Sequence, residues 1–204
     1  MKNLMGMILA VVFIGVSSVI GQDDNSGSNK LFLKAGFDNT GTHKADWPGT
    51  LFDSNNDVEA GYSATVEYMH FYNQILGIGL GVNYQVLRGI KDSDGKFGFM
   101  PVYGTVMLSP FSNSVPLSPY VKFDGGYNVA YNGNSSYASS FLGDVTLTGG
   151  LYWGAGFGVQ LGNAIFADLM MTTNQGKYKL SNFLGSSEAD ITYQKISLNV
   201  GIGL

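Results

Sequence analysis

Leu76-Gly77-Ile78-Gly79-Leu80-Gly81-Val82-Asn83-Tyr84-Gln85-Val86 is the stretch that decides the fold. Every even-numbered residue in it is large and apolar, and every odd-numbered one is Gly, Asn or Gln. Successive side chains of a strand point to opposite faces, so a period of two predicts a β-strand with one apolar and one small, polar face. A helix would scatter the same residues around its circumference.

The pattern repeats on both sides of this stretch. Val58, Ala60, Tyr62, Ala64, Val66 and Tyr68 alternate with Glu59, Gly61, Ser63, Thr65 and Glu67. Val121 to Val129, Leu151 to Gln160 and Lys195 to Leu204 alternate in the same way. Leu31 to Asp38, Phe97 to Leu108 and Ile165 to Thr173 do so less strictly. The spacing therefore predicts eight strands and an all-β chain.

Composition decides which face points where. Of 204 residues, 29 are Gly, 25 are Phe or Tyr (13 and 12), and only 13% are charged. A soluble barrel or sandwich buries its apolar face and needs Lys and Glu outside. The polar face here is mostly Gly, Asn, Ser, Thr and Gln, a poor soluble exterior but a suitable filling for a narrow lumen. The inverted arrangement, apolar residues toward lipid and polar residues toward the lumen, is that of a transmembrane barrel. Strands of about ten residues are long enough to cross a bilayer at a tilt.

Link lengths agree with that reading. Long links at Asn39–Asp57, Arg88–Lys96, Tyr131–Asp144 and Asn174–Asp190 alternate with shorter ones at Met69–Ile75, Ser109–Ser118 and Leu161–Asn163. With an even strand count, short turns and both termini fall on one side and long loops on the other. The long links are rich in Asn, Asp, Ser and Gly, as exposed loops are. Asp92-Ser93-Asp94-Gly95 reads as a hairpin turn.

Residues 1–21 read as a signal peptide, leaving 22–204 as the barrel. Lys2 supplies the positive start, Leu4 to Val16 the apolar run, and Val19 and Gly21 the small residues before Gln22. Zero Cys excludes disulfide frameworks and cysteine-based zinc sites. A net charge of −4 and a pI near 4.9 give no basic footprint for nucleic acid.

Three stretches carry a resemblance: Pro101-Val102-Tyr103-Gly104-Thr105-Val106, Pro119 to Tyr127, and Gly149 to Gly158. With the alternation around them, they make the chain resemble the small OmpA/OmpX-type eight-stranded outer-membrane β-barrels. The resemblance spans nearly all of 22–204. It implies an antiparallel up-and-down barrel in the cell outer membrane, with extracellular loops and periplasmic termini. Its implied partners are outer-membrane lipid, lipopolysaccharide and the barrel-assembly machinery. One departure is the end at Leu204, where such barrels usually carry Phe or another aromatic.

Within this frame Lys34, Glu67, Lys122, Asp124, Asp168 and Lys195 face the lumen and form a barrel-interior charge network. All but Lys195 fall near a short-turn end of their strand, which places those five in one layer that plugs the barrel rather than filters ions. His43 reads as a solvated residue of the first long loop, beside Asp46 and Asp53; without a nucleophile motif it does not make a hydrolase. His70, with Phe71 and Tyr72, reads as a membrane-interface residue at a periplasmic turn. Asp53 to Glu59 reads as a polar loop lacking the Gly and distal Glu of a calcium hand. Met100, Met107, Met170 and Met171 read as barrel wall. Tyr62, Tyr68, Tyr84, Tyr127, Tyr131 and Phe157 read as interfacial girdles.

The sequence thus predicts a single, monomeric, non-enzymatic barrel without cofactor or metal. Its expected role is envelope structure or surface interaction, including adhesion to host or neighbouring cells. The alternative is a narrow channel or a carrier for small hydrophobic ligands.

Overall fold

The computed structural model describes residues 27–39, 41–46, 54–91, 96–110, 117–134, 144–162, 164–182 and 185–204. The expected signal peptide at 1–21 lies outside them, as do Asp53 and the Asp92–Gly95 turn.

The strands are β1 (Ser28–Asp38), β2 (Gly41–Asp46), β3 (Ser54–Val58), β4 (Gly61–Phe71), β5 (Leu76–Gln85), β6 (Arg88–Gly89), β7 (Lys96–Leu108), β8 (Leu117–Asn134), β9 (Asp144–Leu161), β10 (Ile165–Asn182) and β11 (Gly185–Gly203). They make eight staves, because three staves are interrupted once. The pairs Asp38↔Gly61 and Gly41↔Val58 keep one register, so β1 runs on into β2 and β3 into β4. Arg88↔Phe97 continues β5 into β6 along β7 after a register shift of one residue. Neighbouring staves are antiparallel, and β1 pairs with β11 from Phe32↔Gly203 to Asp38↔Ser197. That last ladder closes the sheet on itself and removes its edges.

Alternation sets the two faces. Leu80 (68% exposed), Phe157 (62%), Phe123 (52%) and Leu198 (52%) stand outward, whereas Phe32, Glu67 and Asn128 are fully buried inside. The apolar face is therefore the outer one, the inverse of a soluble barrel. Tyr62, Tyr84 and Tyr127 stand outward on this belt, while the side chain of Tyr131 is not among those described.

The Tyr72–Ile75 and β9–β10 turns and the two ends of the described barrel lie at one rim. Tyr72–Ile75 turns β4 into β5, with Asn73 Oδ1 accepting from the backbone N–H of Ile75 and Leu76, each at 2.8 Å. Gly162, at φ 58°, supplies the left-handed residue of the β9–β10 turn. Leu31 and Leu204 exchange two backbone hydrogen bonds of 2.9 Å at the same rim.

The opposite rim differs from expectation. Asn39–Asp57, Tyr131–Asp144 and Asn174–Asp190 are not loops over their whole length. β2 and β3 occupy most of the first, β8 runs to Asn134 in the second, and β10 and β11 pair to Asn182↔Gly185 in the third. Polar side chains do not prevent a ladder when both faces of the wall are wet, since the backbone bonds are the same. Between β8 and β9 the ladder runs from Leu117↔Leu161 to Tyr127↔Leu151 and goes no further among the described residues, although both strands continue.

Candidate functional site: the filled lumen

The lumen is stacked in layers. At the short-turn rim Phe32, Met69, Met107, Tyr120 and Phe166 pack into an apolar cluster with Phe71 against it. The Phe32 and Phe166 rings meet edge to face at 4.4 Å. Lys30 closes this layer, its ammonium 5.6 Å from the Phe71 ring and 5.9 Å from that of Phe166.

Above it lies a charged layer. Glu67, from β4, takes Lys122 on Oε1 and Lys34 on Oε2 at 3.2 Å, and the Tyr103 hydroxyl donates to Oε1 at 2.7 Å. Lys34 also donates to Asp168 at 2.7 Å. Asp168 further accepts from Tyr120 at 3.0 Å and from Asn199 at 2.6 Å. Asp124 completes the set, 3.3 Å from Lys122. Three carboxylates face two ammonium groups, and their side chains are at most 3% exposed. Taking such ions out of water costs several kcal/mol each, which only close pairing and further hydrogen bonds offset. Each ammonium here has two carboxylates, and the Tyr and Asn donors add hydrogen bonds to Glu67 and Asp168.

Lys195 does not join that layer. It sits one level up, 2.9 Å from Asp38, which also binds Arg88 and accepts from Ser63 at 3.2 Å and from Ser197. The six interior charges thus belong to two networks: Lys34, Glu67, Lys122, Asp124 and Asp168, expected in one layer, carry an extra negative charge, and Lys195 with Asp38 and Arg88 an extra positive one. Asp38 and Arg88 were absent from the expected set. Asp38 continues the inward series Phe32, Lys34, Gly36, so its signal was present. Arg88 fell in a link read as loop, and only its pairing beside β7 turns it inward.

A cavity of ≈ 20 Å³ separates the two networks, touched by Lys34, Glu67, Asp124 and Lys195. That is room for one water molecule. Higher still, Gln85 donates to Asn174 at 3.3 Å, and Asn128 donates to the backbone carbonyls of Leu151 and Gln175 at 3.0 Å. Val58, Phe97, Phe99 and Tyr193, with Ile90 against them, form a second apolar cluster near the far rim.

No protein-family model matches the chain, and no curated protein matches it either. Solved structures do. The outer membrane protein OprG of Pseudomonas aeruginosa superposes with a TM-score of 0.61 at 11% identity, over 88% of this chain and 97% of that one. The outer membrane protein AlkL, solved in lipid bilayers, gives 0.56 at 14% identity, over 90% and 94%. The fold is that of the small eight-stranded outer-membrane barrels. Identity this low carries the architecture and nothing finer.

In this outer-membrane barrel fold His43 is not the solvated loop residue expected. It lies on β2, 3% exposed, with its ring 5.0 Å from that of Phe97. Facing reverses between Asp38 and Gly41, so that Gly41, His43 and Ala45 turn inward and Thr42 and Lys44 outward, and His43 meets the upper apolar cluster. Burial pushes its imidazole down to about 4. His70 ends β4 beside the short-turn rim, hydrogen-bonded through Nδ1 to Asn29 at 2.8 Å and edge-on to Tyr72 at 4.7 Å. Asp57 of the calcium-like stretch faces Lys91 at 3.5 Å in an exposed pair. Of the four methionines read as wall, Met107 and Met170 are buried in the lumen instead, because they occupy inward positions of β7 and β10.

Proposed function

We propose that this protein is a closed, non-enzymatic barrel of the outer membrane. Its upper strands stand above the bilayer as a surface for envelope contacts or adhesion, and its termini face the periplasm. The observation that carries this reading is the lumen. Two aromatic clusters bracket two ionic layers, and the space between the layers is large enough for a water and too small for a hydrated ion or an organic ligand. The alternative of a narrow channel needs a continuous aqueous path, and the packing of these layers favours the closed reading over it. The outward apolar belt supports a lipid environment, since soluble monomers rarely expose contiguous apolar patches beyond a few hundred Å². Surrounding lipid, lipopolysaccharide and the barrel-assembly machinery are the partners this placement brings, and a closed sheet without edges suits a monomer.

Purified protein in planar bilayers tests the reading. The expected trace is flat, without resolved steps. Regular single-channel steps from the wild-type barrel would move it to the channel class. Cell fractionation with heat-modifiable gel mobility tests the location independently.

A further inference from the structure

The outer wall is not uniformly smooth. Two hollows of ≈ 490 and ≈ 240 Å³ adjoin on it, both touching Thr192 of β11. The larger has Tyr127 and Leu151 at one end and Lys177 at the other. The smaller adds Lys44, an exposed residue of β2. Lys44 pairs with Thr192 in register, and Thr192 with Gln175, so Lys44 and Lys177 rise from the two strands that flank β11. Two strand spacings, about 10 Å, separate those strands. Lys177 meets Asp190 at 3.4 Å, but both side chains are more than half exposed. Such an exposed pair contributes little, so another anion displaces it readily.

Below the hollow the wall has a notch. Tyr127 pairs with Leu151, and one step down Gly125 pairs with Trp153 and with Gly104. A Cβ built on Gly125 meets nothing within 4 Å, and one on Gly104 meets nothing nearer than 3.8 Å. The exposed Leu80 and Trp153 border this gap on either side. The wall thus offers a cationic ledge above and an apolar, side-chain-free notch beneath.

We propose that this wall docks one phosphorylated membrane lipid. The headgroup phosphate lies between Lys44 and Lys177, and an acyl chain runs past Leu151 into the notch beside Trp153. The proposal rests on the membrane placement argued above. An amphiphile is the occupant because the two ends differ in chemistry, and its charge is negative because the ledge presents lysines, one of them bound only to an exchangeable carboxylate.

The full-length protein has two Trp. Trp47→Phe makes Trp153 the only one, and its fluorescence then reports nearby brominated acyl chains. The barrel is placed in phosphatidylcholine vesicles containing a minor fraction of either brominated phosphatidylglycerol or brominated phosphatidylcholine. The expected result is stronger quenching by the anionic lipid, an enrichment of about fivefold at Trp153. Lys44→Gln with Lys177→Gln should return it to parity, and Lys44→Gln alone, which leaves the Lys177–Asp190 pair intact, should lower it. Heat-modifiable mobility of each variant checks that the barrel is folded. Equal quenching by the two lipids, or enrichment unchanged in the double variant, overturns the docking site and leaves the membrane placement standing. Absence of quenching by either lipid overturns the membrane placement and the site together.

Discussion

Gly125 and Gly126 adjoin in the chain and face opposite sides of the wall. Open space surrounds Gly125, whereas a Cβ on Gly126 runs into the carbonyl oxygen of Val102 and, at 2.5 and 2.7 Å, into the Cα and Cβ of Tyr103. Sequence alternation alone suggests that Gly126, on the polar face, would accept Ser. The close approach of β7 removes that freedom. Gly126→Ala should cost about 1–3 kcal/mol through forced backbone shifts, and Gly125→Ala should be close to neutral. Urea unfolding of the two variants in lipid vesicles compares them directly. Glu67 is the second residue with a sharp expectation. It is the carboxylate shared by Lys34 and Lys122. Glu67→Ala leaves buried ammonium groups short of a partner and should lower stability by about 3–5 kcal/mol, read from the same unfolding midpoints.

At the scale of elements, the β2–β3 hairpin is part of the wall and also its lid. The outward residues of β2, Thr42 and Lys44, are polar, so the hairpin stands above the apolar belt. Its inward residues His43 and Ala45 are buried. His43 is neutral when buried and titrates near 4, below its ordinary value of 6.5. Above pH 6.5 both folded and unfolded hairpins carry neutral imidazole, and pH has no effect through this residue. As pH falls from 6.5 toward 4, the unfolded hairpin takes up a proton that the folded one refuses, and the docked hairpin loses stability. Protection factors of the β2 amides, exchange rates relative to the intrinsic rate at each pH, should therefore fall over that interval, and His43→Phe should flatten the dependence. A profile unchanged by the substitution would assign the effect to other groups.

The whole molecule fixes its own depth in the bilayer. Backbone N–H and C=O groups cannot stay unpaired in hydrocarbon, where each costs several kcal/mol. Among the described residues, β8 and β9 do not pair above Tyr127↔Leu151. The hydrocarbon zone must end near that pair, at the level of an outward tyrosine. Spin labels at Phe123 and Leu198 should then report lipid, and labels at Lys91 and Lys179 should report water. A lipid signal at Lys179 would place the unpaired strands inside the bilayer and contradict this depth.

Leu76 to Val86 on its own determined the class of structure, because a period of two together with a polar face built from Gly, Asn and Gln admits few architectures. The eight strands and their facing were legible for the same reason: each strand advertises its two environments locally. The upper wall was not. From Gly41 to Asp46 neither face carries a large aliphatic residue, so nothing in their pattern separates a loop from a strand; only the ladder to β11 does. The charge network was legible residue by residue, since Lys34, Glu67, Lys122, Asp124, Asp168 and Lys195 all occupy inward positions. That Lys195 stands apart from the other five was legible too, from its distance to a short-turn end. Its partner was not, because Asp38 lies within reach of Lys195 only across the β1–β11 closure, between residues at opposite ends of the chain. Which charges share a layer depends on the stagger between strands, and that stagger is a property of the closed barrel rather than of any one strand.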